Sequence, residues 1–280
     1  MGAGAAQTAE PKGASRAFVK DQARTTCHGR PQRRRPDFAF IMANQNNWLL
    51  AAIEPDVRAR FQPRLRRTSL ERGEVLLSPG ETVHRVYFPE TALIGLISAM
   101  PAGDAVQTGM IGRDGALGVF EACGTRQSAF LCEVLVAGEA WVMAADDYRR
   151  LYETSADLRV AVHKYVEILL TEARQFVACN ALHSVDARLA RSVLEALERS
   201  QDSRTLPATQ ETLAQMLGVQ RTTITAALSQ MQAAGAIRTA RGSLEVVDPA
   251  VLEDAACCCR ETLKIARAEI YASDEPVCDA

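Results

Sequence analysis

The 280-residue sequence lacks a long apolar run. No segment reaches the roughly 18 consecutive apolar residues that a membrane-spanning helix needs. An arginine-rich segment, residues 33–40, is followed by four polar residues at 44–47 instead of an apolar stretch, so it does not meet the pattern of an export signal. We therefore expect a cytoplasmic protein without a membrane anchor.

The sequence also lacks a CxxC pair, and we do not expect a histidine to cluster with its cysteines. A structural zinc site is therefore not expected, and no cofactor is predicted. Cys257–Cys259 fall in a predicted helix, where successive side chains project in different directions, so the three should not all ligate one ion. Cys132 and Cys179 are expected to be apolar core residues, and a redox role of Cys257, Cys258 and Cys259 stays open. The eight cysteines are Cys27, Cys123, Cys132, Cys179, Cys257, Cys258, Cys259 and Cys278.

A strong excess of charge is missing as well. The formal net charge is −2, so a nucleic-acid partner would have to bind a local basic patch. The length suggests about two domains, and the 48% content of hydrophobic residues is sufficient for buried cores.

Residues 210–229 predict a helix, a tight turn at Gly218 and a second helix with a polar start, which is the layout of a helix-turn-helix. The small Ala214 suits the point where two such helices cross, and Gly218 accepts the positive φ of the turn. Thr209 is a predicted N-cap. The apolar residues expected to face the core are Leu213, Leu217, Val219, Ile224 and Leu228. The residues expected to point outward, toward DNA, are Gln220, Arg221, Thr222, Thr225 and Ala226.

Two short predicted strands, 236–239 and 243–247, follow this motif and surround the turn 240–242. Such a hairpin is typical of the wing of a winged helix. Arg241 at its tip is a candidate contact to a DNA phosphate or the minor groove. The alternative is a solvated turn residue.

The preceding region, residues 70–143, predicts an antiparallel barrel or jelly roll, because short β-prone runs alternate with turns. The breaks at 79–80, 101–104 and 137–139 are expected to be hairpin turns. His84 is the barrel's single histidine, which does not favour a metalloenzyme, and we expect a protein that is not an enzyme. The predicted strands are Glu74–Leu77, Arg85–Phe88, Leu93–Ile97, Ala105–Ile111 and Ala129–Val142.

A long helix is predicted from about Ala156 to His183. Apolar residues recur along it at alternating spacings of four and three, a pattern typical of a coiled-coil seam. The pattern favours a homodimer, and the alternative is packing on the chain's own barrel. Polar Asn180 would fix the register. The predicted seam residues are Val162, Val166, Leu169, Ala173, Phe176 and Asn180, followed by His183.

These segments divide the chain into five parts. Residues 1–41 are either a basic arm or an artefact of a start site that lies at Met42. The barrel takes 42–155, the dimerisation helix 156–184, the winged helix 185–263 and a tail 264–280. The barrel part begins with a helix-like segment, Trp48–Phe61.

The order of barrel, seam helix and winged helix resembles the Crp–Fnr family of bacterial transcription regulators over about residues 48–263. The segment Gly112–Ala129 looks like the family's phosphate-binding cassette. The resemblance implies an α+β fold, a homodimer on a near-palindromic DNA site, and, for an activator, contact with RNA polymerase. It also implies an effector pocket formed by Gly115, Ala116, Leu117, Gly118, Gln127 and Ser128.

The cassette departs from members that bind cyclic AMP. Ala116 stands where they have Glu, and Gln127 stands where they have Arg, so a buried phosphate would lack its counter-ion. We therefore expect an effector other than cyclic AMP, or none. In the second helix Arg221 matches the family's base-reading arginine, whereas Thr222 and Ala226 replace its Glu and Arg. The alternative function is a cyclic-nucleotide-binding module that acts on a protein partner.

Overall fold

The computed structural model describes residues 47–101, 103, 105–201 and 204–273. The predictions for residues 1–41, Met42 and Cys27 lie outside these residues. The described chain begins with helices α1 (Trp48–Ala52) and α2 (Pro55–Phe61), followed by a 3-10 turn. The single helix-like segment predicted here is interrupted because Pro55 disfavours a helical conformation in Glu54, which is extended.

Two antiparallel sheets form the barrel, so the α+β prediction with an N-terminal jelly roll is confirmed. One sheet has the strand order β1-β7-β3 and the other β2-β6-β4-β5. The first strand was not predicted because it is polar and largely exposed. The bounds are β1 (Arg66–Leu70), β2 (Val75–Leu77), β3 (Arg85–Pro89), β4 (Leu93–Ala99), β5 (Ala105–Ile111), β6 (Leu131–Val136) and β7 (Gly138–Ala144).

Only one of the three predicted hairpin turns joins paired strands. The break at 101–104 connects β4 to β5, which pair antiparallel. The predictions at 79–80 and 137–139 are wrong, because β2 and β3, like β6 and β7, belong to different sheets. At the second crossing the chain passes very close to another loop: a Cβ on Gly138 would lie 2.5 Å from the backbone nitrogen of Ala92.

Helix α3 (Ala145–Thr154) closes the barrel, and helix α4 (Ala156–Leu182) follows. Ser155 caps α4 by accepting a hydrogen bond from the Leu158 amide at 3.2 Å. The barrel core includes edge-to-face rings: Phe61 lies 6.2 Å from both Phe88 and Tyr148, measured between ring centroids. Helix α4 contributes Tyr165 to this core.

The exposed stripe of α4 differs from the predicted seam. Val162 is wrong as a seam residue because it is buried in the chain's own barrel core. Leu169 and Phe176 turn toward a barrel cavity and are half-buried. Val166, Ala173 and Asn180 are exposed as expected. Leu170 and Val177, one position along, complete the free stripe, with exposed fractions of 48% and 72%.

The remaining elements form the winged helix and one further helix. Helix α5 (Val185–Ser200) leads to strand β8 (Thr205–Leu206), helices α6 (Gln210–Leu217) and α7 (Arg221–Ala233), strands β9 (Ile237–Ala240) and β10 (Ser243–Val246), and helices α8 (Pro249–Ala255) and α9 (Cys259–Ala272). The wing sheet has the order β8-β10-β9. None of the described helices is long and apolar enough to cross a membrane.

Helix α9 begins in the segment predicted as winged helix and continues into the segment predicted as a tail, and it packs along α4. The Gln175 side-chain amide of α4 donates to Cys259 Sγ at 3.1 Å. Cys257–Cys259 are not in a continuous helix, since α9 begins at Cys259. Cys258 is exposed, whereas Cys257 and Cys259 are both buried. The expectation that the three thiols project in different directions is therefore wrong for Cys257 and Cys259.

Four buried charged side chains join the barrel to the helices around it. Arg199 of α5 forms ion pairs with Asp114 of the cassette at 3.1 Å and with Glu172 of α4 at 2.8 Å. Arg267 of α9 pairs with the same two carboxylates. Burial alone would lower the pKa of Arg199, but Asp114 and Glu172 raise it above its ordinary value. Arg199 therefore stays charged, and the cluster couples four separate elements.

Candidate DNA interface and barrel cavity

The helix-turn-helix folds as its spacing predicts. Thr209 caps α6 by accepting from the Thr212 amide at 3.1 Å. Gly218 ends α6 in the left-handed region with φ 63°, a conformation that glycine adopts without steric cost. Ala214 of α6 and Ile224 of α7 are both buried. The predicted inward face is thus confirmed, with Val219 half-buried at its edge.

All the residues predicted to point outward from α7 and its cap are exposed: Gln220, Arg221, Thr222, Thr225 and Ala226. The first turn of α7 contains no acidic residue, and Gln220 makes no side-chain cap hydrogen bond. The helix dipole and the amides of this first turn therefore favour an approaching anion such as a phosphate.

Gln210 is a residue that the sequence analysis missed. Its side-chain oxygen accepts hydrogen bonds from Arg221 Nε at 3.4 Å and from Thr225 Oγ1 at 3.0 Å. It lies at the start of α6, eleven residues before Arg221, so no local pattern connects the two. Gln210 orients both side chains on the exposed face of α7.

The wing is the hairpin β9–β10, in which Ser243 pairs with Ala240. Arg241 is exposed at its tip, and Gly242 has φ 77°. Arg238 is paired with Glu245 at 3.1 Å, which reduces the positive charge of this flank. A concave surface of about 450 Å³ lies between the start of α6, Arg221 and the wing.

The barrel contains a largely apolar cavity of about 290 Å³ under α4. Of the six predicted pocket residues, Ala116, Leu117 and Gly118 line it. Gly115, Gln127 and Ser128 do not line it. The lining that the sequence analysis missed includes Phe120, Glu121, Phe130, Leu169 and Phe176.

The other three predicted pocket residues make contacts outside this cavity. Gly115 lies under Tyr165, whose hydroxyl would be 2.2 Å from a Cβ added to this glycine. Gln127 is exposed and bridges to Thr82, and Ser128 donates to the Phe130 carbonyl at 2.8 Å. Arg126 adopts a left-handed conformation but remains exposed and outside the cavity lining, so it does not replace the missing cassette arginine.

Glu121 places a carboxyl group in the wall of this cavity. Its Oε2 atom is buried and has no hydrogen-bond partner among the described residues. Burial raises the pKa of this carboxyl above its ordinary value. A carboxylate in this wall disfavours an anionic ligand such as a cyclic phosphate.

Replacing Glu121 by Gln should therefore stabilise the protein in a pH-dependent way. The Glu121 carboxyl has a higher pKa in the folded protein than in the unfolded chain, where it has the ordinary value of 4.5. The contribution of this group to the free energy of unfolding of wild type therefore falls as the pH rises above 4.5. We expect the free energy of unfolding of Glu121→Gln to exceed that of wild type increasingly with pH, up to a plateau above the raised pKa. Urea unfolding at a series of pH values measures the difference. A constant difference would show that Glu121 titrates normally.

Comparisons with known proteins agree with this architecture. The family model of the Crp-like helix-turn-helix domain matches residues 187–255. No curated protein sequence matches the chain. Solved structures with the same fold have low sequence identity to it.

Three of these structures illustrate the likeness. The c-di-GMP responsive global regulator CLP from Xanthomonas campestris is 15% identical, with a TM-score of 0.56 over 70% of this chain and 100% of its own. FixK2 from Bradyrhizobium japonicum is 13% identical, with a TM-score of 0.59 over 69% and 98%. A CRP-family transcriptional regulator from Thermus thermophilus is 20% identical, with a TM-score of 0.58 over 68% and 96%.

The matched segment contains α6, α7 and the wing. The structural likeness covers 68–70% of the chain in these three structures. The protein therefore combines a Crp-like helix-turn-helix domain with the fold of the Crp–Fnr family of transcription regulators.

Proposed function

We propose that this protein is a cytoplasmic, homodimeric transcription regulator that binds a near-palindromic DNA site through α7 and the wing. The observation that carries the proposal is the exposed, acid-free start of α7, where Arg221 and Thr225 are both held by Gln210. Arg221 is suited to bidentate recognition of guanine in the major groove. Arg241 at the wing tip is suited to a phosphate contact.

The dimer part of the proposal is supported by the free stripe of α4. Val166, Leu170, Ala173 and Val177 recur at alternating spacings of four and three, and all four are exposed in the single chain. Two copies of this stripe can pack together along a two-fold axis. The two α7 helices would then enter major grooves about 34 Å apart, one helical turn of DNA.

The effector part of the proposal is that the barrel binds an uncharged or cationic, largely apolar small molecule, or none, instead of cyclic AMP. The apolar lining, the buried Glu121 carboxyl and the absence of a cationic side chain among the described cavity residues support this choice. Such a ligand would change DNA binding only if it bound two conformations of the dimer unequally.

The test is selection of DNA from a random pool by the purified full chain without added ligand. We expect enrichment of a two-fold symmetric site. A variant with Val166→Asp and Val177→Asp, which places charge on the free stripe, should lose enrichment of the symmetric site while its barrel stays folded. Failure to enrich any sequence, with or without small-molecule extract from cells, would contradict the proposal.

A further inference from the structure

Four potential metal ligands meet where α4 ends and α9 begins. They are Cys179, His183, Cys257 and Cys259, and their ligand atoms all lie within 4.8 Å of one another. Cys179 Sγ is 3.5 Å from Cys257 Sγ, and Cys259 Sγ is 3.4 Å from His183 Nδ1. The sulfur–sulfur distance is too long for a disulfide, whose bond is about 2.05 Å.

We infer that this cluster is a structural zinc site with three cysteine ligands and one histidine ligand. A tetrahedral ion with Zn–S bonds of about 2.3 Å and Zn–N bonds of about 2.0 Å places its ligand atoms roughly 3.5–3.8 Å apart. The distances of 3.5 Å and 3.4 Å are close to this spacing, and no separation has to shorten by more than about 1 Å on binding. The set matches a closed site, with no position left for water or substrate.

The surroundings of the cluster favour an anionic centre. Arg188 of α5 is buried, its Nε has no hydrogen-bond partner, and it forms no ion pair with a carboxylate among the described residues. Its guanidinium lies near Cys179 and Cys257, and its Nη2 donates a hydrogen bond to the Leu217 carbonyl at 2.7 Å. Zinc with three thiolates and a neutral imidazole has a net charge of −1, which would supply the counter-ion that Arg188 lacks.

The position of the cluster suggests what the ion would hold together. Cys179 lies in the last turns of α4, and His183 is the residue at which this helix gives way to α5. Cys257 donates its amide to the Ala187 carbonyl of α5, at 3.2 Å, and Cys259 begins α9. One ion would thus fix the end of the dimerisation helix to the segment that leaves the winged helix.

The distances between the ligand atoms also distinguish a site for one metal ion from a site for an iron–sulfur cluster. A multi-iron cluster needs its cysteine sulfurs farther apart than they are here. Cys258, the third thiol of the run, is exposed and does not belong to the group. It provides a matched control, because it lies between two of the ligands and differs from them only in where its side chain points.

The experiment is metal analysis of the tag-free full chain purified under reducing conditions. We expect about one zinc ion per chain. Cys179→Ser and Cys259→Ser should lose most of the zinc, whereas Cys258→Ser should retain it. After exchange with Co²⁺, wild type and Cys258→Ser should show thiolate-to-cobalt charge-transfer absorption, and His183→Ala should show an altered spectrum if it folds like wild type by circular dichroism.

Three results would overturn the inference. The first is a wild-type chain that contains no zinc and binds neither added Zn²⁺ nor Co²⁺. The second is zinc content that is unchanged in both Cys179→Ser and Cys259→Ser. The third is stoichiometric iron, or a Cys179–Cys257 disulfide found by mass spectrometry, in place of zinc. The Co²⁺ spectrum of wild type shows whether thiolates of this chain bind a metal ion even if the serine variants do not fold.

Discussion

Replacing Arg199 by Ala is expected to lower the free energy of unfolding by about 3–5 kcal/mol, because it leaves Asp114 and Glu172 as buried carboxylates facing a single cation. Arg199 is 2% exposed, and its guanidinium also donates to the Met110 carbonyl. Urea unfolding of the full chain, followed by circular dichroism, measures the loss.

The matched control is Arg150→Ala, which removes the same charge from an exposed pair with Asp147 on α3. We expect a loss of less than about 1 kcal/mol for this variant. If Arg199→Ala is too unstable to study, Arg199→Lys keeps the charge but can meet only one of the two carboxylates, and should lie between wild type and Ala. Equal losses for Arg199→Ala and Arg150→Ala would mean that water enters the cluster.

A double variant separates the ion pair from the packing of its members. Arg199→Ala with Glu172→Ala should lose less free energy of unfolding than the sum of the two single variants, because removing both charges leaves no member of that pair buried alone. Arg267 and Asp114 remain, at 3.4 Å, in the double variant. Additive losses would argue against direct coupling between Arg199 and Glu172.

The second large effect is expected on DNA. Arg221→Ala should weaken binding to the selected site by about 1–3 kcal/mol, roughly 5- to 160-fold, and relax preference at one base pair in each half-site. Loss of a bidentate contact to guanine is the physical reason. Titration of labelled DNA with the full chain at fixed salt concentration measures both the affinity and the preference.

The control for this effect is again Arg150→Ala, which changes the net charge equally but lies on α3 beside the barrel. It should leave the affinity for DNA nearly unchanged. Gln210→Ala should weaken specific binding less than Arg221→Ala does, since Gln210 orients Arg221 without itself replacing the contact. Equal weakening of Arg221→Ala on specific and scrambled DNA would mean that Arg221 binds phosphate only.

Sequence reasoning worked best where the signal is local. The helix-turn-helix depends on residues within twenty positions of one another, and the small Ala214, the turn at Gly218 and the exposed start of α7 are all found where the spacing places them. The long helix was predicted to within a residue of its end at Leu182. Helical periodicity and turn chemistry act over a few residues, so a sequence displays them directly.

The lining of the barrel cavity could be predicted from the sequence only in part. The predicted pocket residues were taken from one contiguous cassette, but Gln127 and Ser128 turn away and Leu169 and Phe176 arrive from α4. The same two residues of α4 explain why the exposed stripe lies one position from the prediction at two of the six predicted seam residues. A heptad pattern marks an apolar helix face about two residues wide. Which residues of that face are covered depends on how the helix packs against the barrel.

The sequence alone determined the order of the domains, the helix-turn-helix and its outward side chains, because these follow from short-range periodicity. Only the tertiary structure decided which charges are buried together and which thiols meet a histidine. Arg267 pairs with Glu172 across 95 residues, and Cys259 meets His183 across 76. Contacts of that kind depend on how whole elements pack, and no spacing along the chain specifies them.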